Sequence, residues 1–497
     1  MNNGTFLAAI DLGSNSFRLE IGHFEHGQIQ RVDYLKETVR LGNGFDEDRN
    51  LSLEVMTRGW DCLARFAERL AGFGPDQVRA VATQTLREAK NRDEFLKRGS
   101  ELLGFPIEVI AGTEEARLIY QGVSHLLPQS PERRLVIDIG GRSTELVLGR
   151  GTEPLHTASY RVGSVAWSLK YFPKGEFTEQ ALYRAEIAAQ AVLDEALSSY
   201  PRHQWDAAYG ASGTVGAVAD ILALSGWPAE QITREGLDWL IKCLLRAGSA
   251  HLVQLEGLKD DRRAVLGGGV SVLRGLMDLL HIDTLQVAQG ALRHGVLLEM
   301  VEREAHATDA RDVSVQRLAQ KFAVDAAQGQ RVSQTAGHLF TQVAPPDLPR
   351  RDTLLRKLRW AAALHEIGMT ISHSDYHKHG AYILENADTV GFSLPELHRL
   401  GLLVLGHRGK LKKLDADFEE SGFVMLLLAL RLAVILCHAR QDPQDESMAL
   451  AFNGKRQRFT LTVDEVWACN YPQSAHLLRQ ESVAWLRMPW SFELVVQ

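Results

Sequence analysis

Asp11 and Asp138 each close an apolar run, and each is followed by a short turn rich in glycine and hydroxyls. Gly13, Ser14, Asn15 and Ser16 follow the first; Gly140, Gly141, Arg142 and Ser143 follow the second. Backbone N–H groups and hydroxyls in such turns can receive phosphoryl oxygens, and a carboxylate at each strand end can hold Mg²⁺ directly or through water. A lone Asp before a Gly usually only makes a turn. Here the pattern is duplicated, AIDLGSNS (residues 9–16) returning as VIDIGGRS (136–143). A second β-rich run follows each copy, RLEIGHF (18–24) and TELVLG (144–149). The order strand, loop, strand is a hairpin, unlike the strand-to-helix turn of a P-loop or Rossmann site.

Two such loops facing each other across a cleft surround a phosphate that neither encloses alone, which is the plan of actin-like phosphotransfer folds. Hydrolysis then needs a group to orient water. Glu115 has the right type and position, in the first turn of an expected helix capped by Thr113, where the helix dipole favours the ionised form and neighbouring Glu114 opposes it. Ordinary first-turn enrichment in Glu would give the same spacing. Glu145 falls two residues past Ser143 on the same strand face and could hold a water or the metal. GASGT (210–214), with Ser212 and Gly213, opens a helix and offers an anion seat, while GGGV (267–270) permits close backbone approach to the cleft.

The elements that must carry these residues read as two related α/β lobes. In the first, a helix over 52–71 leads to a strand at 78–82, a capping box Asn91-x-x-Glu94 opens another helix, and a strand at 107–110 precedes the helix bearing Glu115. The second repeats that grammar with a long helix over 179–199 and strands at 206–210 and 283–288. Strand signals nearly vanish from 313 to 438, and Asn453-Gly454 then joins two strand patterns. Expected domains are lobe I at 1–127, lobe II at 128–308 with a link at 128–134, a helical domain at 309–440, and a small α+β domain at 441–497.

Composition excludes some functions. The 497-residue chain has a formal charge of −7, so it lacks the basic field of a nucleic-acid binder. Its four cysteines form no metal or redox spacing. The N-terminal residues predict a first strand and no export signal, and the apolar run at 422–437, interrupted by Arg431, is too short to span a bilayer. A cytoplasmic protein is expected, peripheral membrane association being the alternative.

AIDLGSNSFRL, VATQTLREAKN, IEVIAGTEEARLIYQG, LVIDIGGRSTELVLG, YGASGTVGAV and GALRHGVLLE, in this order, resemble the exopolyphosphatase/guanosine pentaphosphate phosphohydrolase family from end to end. The resemblance implies duplicated actin-like ATPase (ribonuclease H-like) lobes, a helical HD-like domain, and a dimer. It assigns water activation to Glu115, a metal-associated acid to Asp138, and a supporting acid to Glu145. Asp11, Ser14, Asn15, Gly140, Gly141 and Ser143 match phosphate-loop positions, and Thr85 and Arg87 match a segment lining the cleft. Mg²⁺ is the expected cofactor, with K⁺ as a candidate stimulating ion. The expected activity is processive release of terminal orthophosphate from inorganic polyphosphate. Guanosine pentaphosphate 5′-phosphohydrolysis is the alternative, and a sugar kinase, an ATPase of the same fold or a non-enzymatic sensor is more distant.

Two departures stand out. Many members carry Gly where this chain has Arg142, so a guanidinium enters the phosphate loop and is expected to contact substrate. Gln289 stands where relatives often carry an acid. In the helical region, LHEIGMTISHSDYHKHGAYIL (364–384) is similar to metal-binding HD helices, but His365-Glu366 and the spacing of His373, His377 and His379 do not rebuild a ligand set. Basic clusters at 350–359 and 407–414, with Lys90, Arg92, Lys97 and Arg98, fit a polyphosphate channel as well as a solvated face.

Overall fold

A computed structural model describes residues 3–497 except 27, 129, 306–308, 388, 415, 417, 444–447 and 487; the side chains of 303–305 and 413 are likewise not described. Gln129 of the expected link, the expected boundary at 308 and the Lys413 side chain therefore lie outside the described residues. The chain divides into two compact units, Met1–Asp309 and Ala310–Gln497.

In the first unit, lobe I runs β1 (Thr5–Leu12), β2 (Phe17–Glu25), β3 (Gln28–Glu37), α1 (Leu53–Arg69), β4 (Val78–Ala82), α2 (Gln84–Glu88), α3 (Arg92–Leu103), β5 (Ile107–Val109) and α4 (Gly112–Leu126). Lobe II runs β6 (Arg133–Ile139), β7 (Thr144–Arg150), β8 (Glu153–Tyr160), α5 (Ser164–Tyr171), α6 (Glu179–Leu193), α7 (Ala196–Ser199), β9 (Ala207–Ala211), α8 (Ser212–Leu224), β10 (Gln231–Thr233) and α9 (Arg234–Ala247). It ends with α10 (Asp260–Arg263), α11 (Leu266–Leu279), β11 (Thr284–Val287) and α12 (Leu292–Ala305).

The sheet orders are β3-β2-β1-β4-β5 and β8-β7-β6-β9-β11-β10, so the duplicated motif sits at the same place in both. In each, an antiparallel hairpin continues into parallel strands through helical crossovers. The strands β1 and β6 lie mid-sheet and are apolar on both faces, as expected for strands covered by helices on both sides. Helices α4 and α12 lie together between the sheets, where Ala116, Ile119 and Val123 meet Leu292, Val296 and Leu297 in a core that also takes residues from β1 and β6.

Some local expectations fail for identifiable reasons. Asn91 makes no capping bond; its amide instead accepts from Leu51 N–H and donates to Leu51 C=O, tying down the loop before α1. Thr113 lies inside the first turn of α4, whose N-cap is Ala111. The long helix breaks into α6 and α7. GGGV belongs to buried helix α11, and a Cβ on Gly268 would sit 2.5 Å from Ser164 O and Ser168 N, so these glycines serve a helix crossing with α5.

The second unit contains α13 (Ala310–Lys321), α14 (Ala326–Val343), α15 (Arg351–Leu364), α16 (Tyr376–Asn386), α17 (Leu394–Gly406) and α18 (Ser421–Leu436). It closes with β12 (Met448–Asn453), β13 (Arg458–Val463), α19 (Glu465–Asn470), α20 (Pro472–Trp485) and β14 (Ser491–Val496). One hydrophobic core runs through the helices and the terminal sheet. The apolar run at 422–437 forms α18, and buried Arg431 donates to both Glu481 carboxylate oxygens and to Gly406 C=O. No helix among the described residues is long and apolar enough to cross a membrane.

Candidate active site

The two hairpins place their acids in matching registers. Asp11 pairs with Arg18 across β1 and β2, and Asp138 pairs with Glu145 across β6 and β7. The turns between these strands face one another. A Cβ on Gly141 would lie 3.0 Å from Ser14 Cβ and 3.2 Å from Val165 Cγ2, so a side chain here would press the second loop off the first by a few tenths of an ångström.

Each loop has its carbonyls absorbed by a later segment. Ser14 and Asn15 C=O accept from Gly42 and Arg40 N–H; Gly140 C=O accepts from Ser164 N–H, and Gly141 C=O from Val165 and Ala166 N–H. Because a trans peptide sets its N–H opposite its C=O, the N–H groups of residues 15 and 16 and of 141 and 142 point away from those segments. Successive amides presented this way form an anion-binding concavity.

A cavity of about 250 Å³ lies between the loops. Asp11, Ser14, Asn15, Ser16, Glu115, Asp138, Gly140, Gly141, Ser143, Ser212 and Gly213, all singled out from sequence, line it. Glu145 is buried behind it; Oε1 accepts from Ser159 Oγ at 2.8 Å, while Oε2 is buried with no hydrogen-bond partner among the described residues. Arg87 reaches Glu115 Oε2 at 2.8 Å and does not line the cavity. Thr85 donates to Ser14 Oγ at 2.7 Å and steadies the first loop. Ser212, at φ 103, accepts from Thr214 and Val215 N–H, so strained backbone starts α8 at the cavity wall.

Arg142 is placed differently from the sequence expectation. Its guanidinium does not line the cavity; it donates to Gly42 C=O at 3.0 Å and to Glu88 Oε2 at 2.9 Å and stacks on Phe45. Gln289 lines the cavity.

Three cavity arginines escaped sequence reasoning: Arg18, Arg262 and Arg293. Arg18 and Arg293 lie 3.4 and 3.7 Å from Asp11 Oδ2, and Arg293 also donates to Glu20 at 3.1 Å. Arg262 is only 9% exposed, and among the described residues its guanidinium makes no hydrogen bond or ion pair. Burial, then the adjacent Arg18 charge, pull it below the ordinary guanidinium value, with Asp261 and Tyr34 opposing. A Cβ on Gly213 would fall 2.0 Å from Arg262 Nη2, so the glycine of GASGT makes room for this side chain.

The acids titrate as a crowded set. Burial and the Glu115 charge push Asp138 up to about 7 against the pull of Arg18. Glu115 is raised by burial, then lowered in part by Arg87 and raised by Asp11. Burial, Glu115 and Asp138 push Glu145 well above the usual carboxylate value. Such a cluster favours a bound cation. Among the described residues no three His, Cys, Asp or Glu side chains form a ready-made ion cage. Mg²⁺ typically takes one or two carboxylates and completes its shell with substrate phosphates and water, and Asp11 and Asp138, which both line the cavity, fit that requirement. In the second unit, the His365 and His407 rings stand 5.5 Å apart, and each Nδ1 lies 2.6 Å from a backbone carbonyl of its own helix.

Repeated lobes with facing hairpin loops, an acid at the end of each central strand, and a cleft of arginines and carboxylates define a phosphoryl-handling enzyme of the actin-like ATPase fold. A model described as the Ppx/GppA phosphatase family matches residues 21–304, and one described as Ppx/GppA phosphatase, domain III, matches residues 310–482. The chain belongs to the Ppx/GppA phosphatase family and is a hydrolase acting on phosphoanhydrides. It is 37% identical over 485 residues, 96% of this chain and 97% of the relative, to a guanosine-5′-triphosphate,3′-diphosphate pyrophosphatase of Vibrio cholerae. The protein of that name from Vibrio vulnificus is 37% identical over 490 residues, covering 97% and 98%. Among solved structures, an exopolyphosphatase-like protein is similar at 25% identity and TM-score 0.56, over 61% of this chain and 100% of that one. The Aquifex aeolicus member of the Ppx/GppA family is similar at 26% identity and TM-score 0.51, over 61% and 99%.

Proposed function

We propose that this chain removes the terminal phosphate of guanosine pentaphosphate by attack of a Glu115-oriented water on the end of the 5′ triphosphate. The observation that carries the chemistry is the cavity between the facing loops, lined by Glu115 and by Arg262, whose guanidinium has no hydrogen bond or ion pair among the described residues. The choice of substrate rests on relatives named for guanosine pentaphosphate at 37% identity over nearly the whole length. That weighs more than a 25% likeness to an exopolyphosphatase-like protein over 61% of the chain, and it favours the alternative from the sequence over polyphosphate.

Phosphoryl transfer leaves proteins mainly positioning and charge neutralisation. The loop amides and Ser14 and Ser143 hold the terminal phosphoryl, Arg262 and Arg18 neutralise its oxygens, and Glu115 takes a proton from the attacking water. Mg²⁺ held by Asp11 and Asp138 would neutralise the bridging phosphates. The leaving group is guanosine tetraphosphate, and one orthophosphate is released per turnover.

The test is phosphate release from purified full-length protein on guanosine pentaphosphate and on long polyphosphate, with and without Mg²⁺. The reading requires kcat/KM to be at least about tenfold higher for the nucleotide, a difference of about 1.4 kcal/mol. Preference for polyphosphate would restore the exopolyphosphatase reading, and no Mg²⁺-dependent release from either would end both.

A further inference from the structure

Helix α2 connects a loop of one lobe to the base of the other through an unbroken line of polar contacts. Arg142, in the lobe II phosphate loop, donates to Glu88 Oε2 at 2.9 Å. Glu88 Oε1 accepts from Gln84 Nε2 at 2.6 Å, and Gln84 Oε1 accepts from Arg87 Nη2 at 2.7 Å and Nε at 3.0 Å. Arg87 Nη1 then donates to Glu115 Oε2 at 2.8 Å and to Ile110 C=O at 2.9 Å. The Gln84 amide has one orientation here, because its carbonyl faces a guanidinium and its NH₂ faces a carboxylate. Burial raises Glu88, but Gln84 and Arg142 outweigh it and hold the carboxyl below its ordinary value, so the middle of the line is charged.

We propose that Arg142 is a positioning residue that fixes Glu115 through Glu88, Gln84 and Arg87, so that the base is aligned only when the two phosphate loops are in contact. This rests on the reading of Glu115 as the water-orienting base. The line crosses between lobes at one point: Gly42, Phe45 and Glu88 belong to lobe I, and Arg142 to the loop whose Gly141 abuts Ser14. If the loops part, Glu88 loses its cation, Gln84 loses the bond that fixes its amide, and Arg87 loses the acceptor that holds two of its nitrogens. Glu115 is then left with a guanidinium held only at Nη1, by Ile110 C=O. Arg142 thus spends its charge on geometry and leaves phosphate binding to the loop amides and the cavity arginines.

The experiment is steady-state kinetics of the full-length protein on guanosine pentaphosphate for Arg142→Gly, Glu88→Gln, their double variant, Arg142→Lys and Glu115→Gln. Displacing a catalytic group by about 1 Å can cost up to 10²-fold, so each of the first two should lower kcat about tenfold with KM within about twofold. The double variant should be no worse than the poorer single, since both cut one line. The acid limb of kcat against pH should move up, because a loosened Arg87 no longer lowers Glu115, and Arg142→Lys should recover part of the loss. If Arg142→Gly does not fold, Glu88→Gln carries the comparison. A raised KM with intact kcat would make Arg142 a phosphate ligand and overturn the proposal. Unchanged kcat and pH profile, or additive losses, would do the same while Glu115→Gln stays inactive. Should Glu115→Gln keep more than a tenth of wild-type kcat, the base assignment itself falls, and the relay with it.

Discussion

Replacing Arg262 by Met should weaken substrate binding while stabilising the empty protein. The guanidinium is 9% exposed, lines the cavity and has no hydrogen bond or ion pair among the described residues, so its desolvation is not offset by a protein partner. A hydrogen bond to a charged group contributes about 1.5–3 kcal/mol; at about 1.4 kcal/mol per tenfold, KM should rise roughly 10- to 150-fold. Without substrate, Met keeps the apolar stem and removes the uncompensated charge, a gain of about 1 kcal/mol that would raise Tm by about 2 °C. Phosphate-release kinetics and thermal unfolding of the ligand-free protein read the two effects separately. Opposite signs are the signature of a group kept for its ligand. A variant destabilised by about 3–5 kcal/mol, as when a buried pair is broken, with KM unchanged within twofold, would refute the reasoning.

Further outcomes follow from the same geometry. Asp138 titrates near 7 against a reference of 3.8, so at pH 6 it is largely protonated, and Mg²⁺ binding there should release close to one proton. Calorimetry in buffers of different ionisation enthalpy measures this, and Asp138→Asn should abolish it. Because the folded value lies above the unfolded one, Asp138 favours the folded state below about pH 4 and withdraws that support as pH rises through about 7; Asp138→Asn should flatten this part of the stability profile of the metal-free protein. In the second unit, Glu481→Ala leaves Arg431 buried without its carboxylate and should cost about 3–5 kcal/mol by denaturant unfolding, whereas a loss below about 1 kcal/mol would show that the Gly406 and Gly409 carbonyls suffice.

The part of the site legible in the sequence is the part built by local repetition. Asp11 and Asp138 could be paired because identical strand–turn–strand grammar fixes where each carboxylate falls, and a tight hairpin register brings Glu145 opposite Asp138. The same register puts Arg18 opposite Asp11 and could have been read. Arg262 could not: it stands in a run of charged residues that looks like any solvated turn, and only the crossing of α10 with the GASGT glycine turns it inward. Arg293 lies in GALRHGVLLE, whose local pattern of an arginine in a helical turn does not show that the side chain enters the cavity. Chain position alone puts Arg142 in the phosphate loop, but the direction of a long side chain depends on Phe45 and Glu88, distant in sequence. Local hydrogen-bond competition likewise took Asn91 from its expected cap to Leu51. Substrate choice was the least legible, since both candidates end in the same phosphoanhydride.

The central claim is that one carboxylate between the facing loops aims water at a terminal phosphate held there. Its most direct test is Glu115→Gln, measured for guanosine pentaphosphate turnover and, separately, for equilibrium binding. Loss of a general base typically lowers rate 10²- to 10⁴-fold, and the account predicts that loss in kcat with Kd within about threefold of wild type. A folded variant that binds substrate and retains more than a tenth of the wild-type kcat would contradict it.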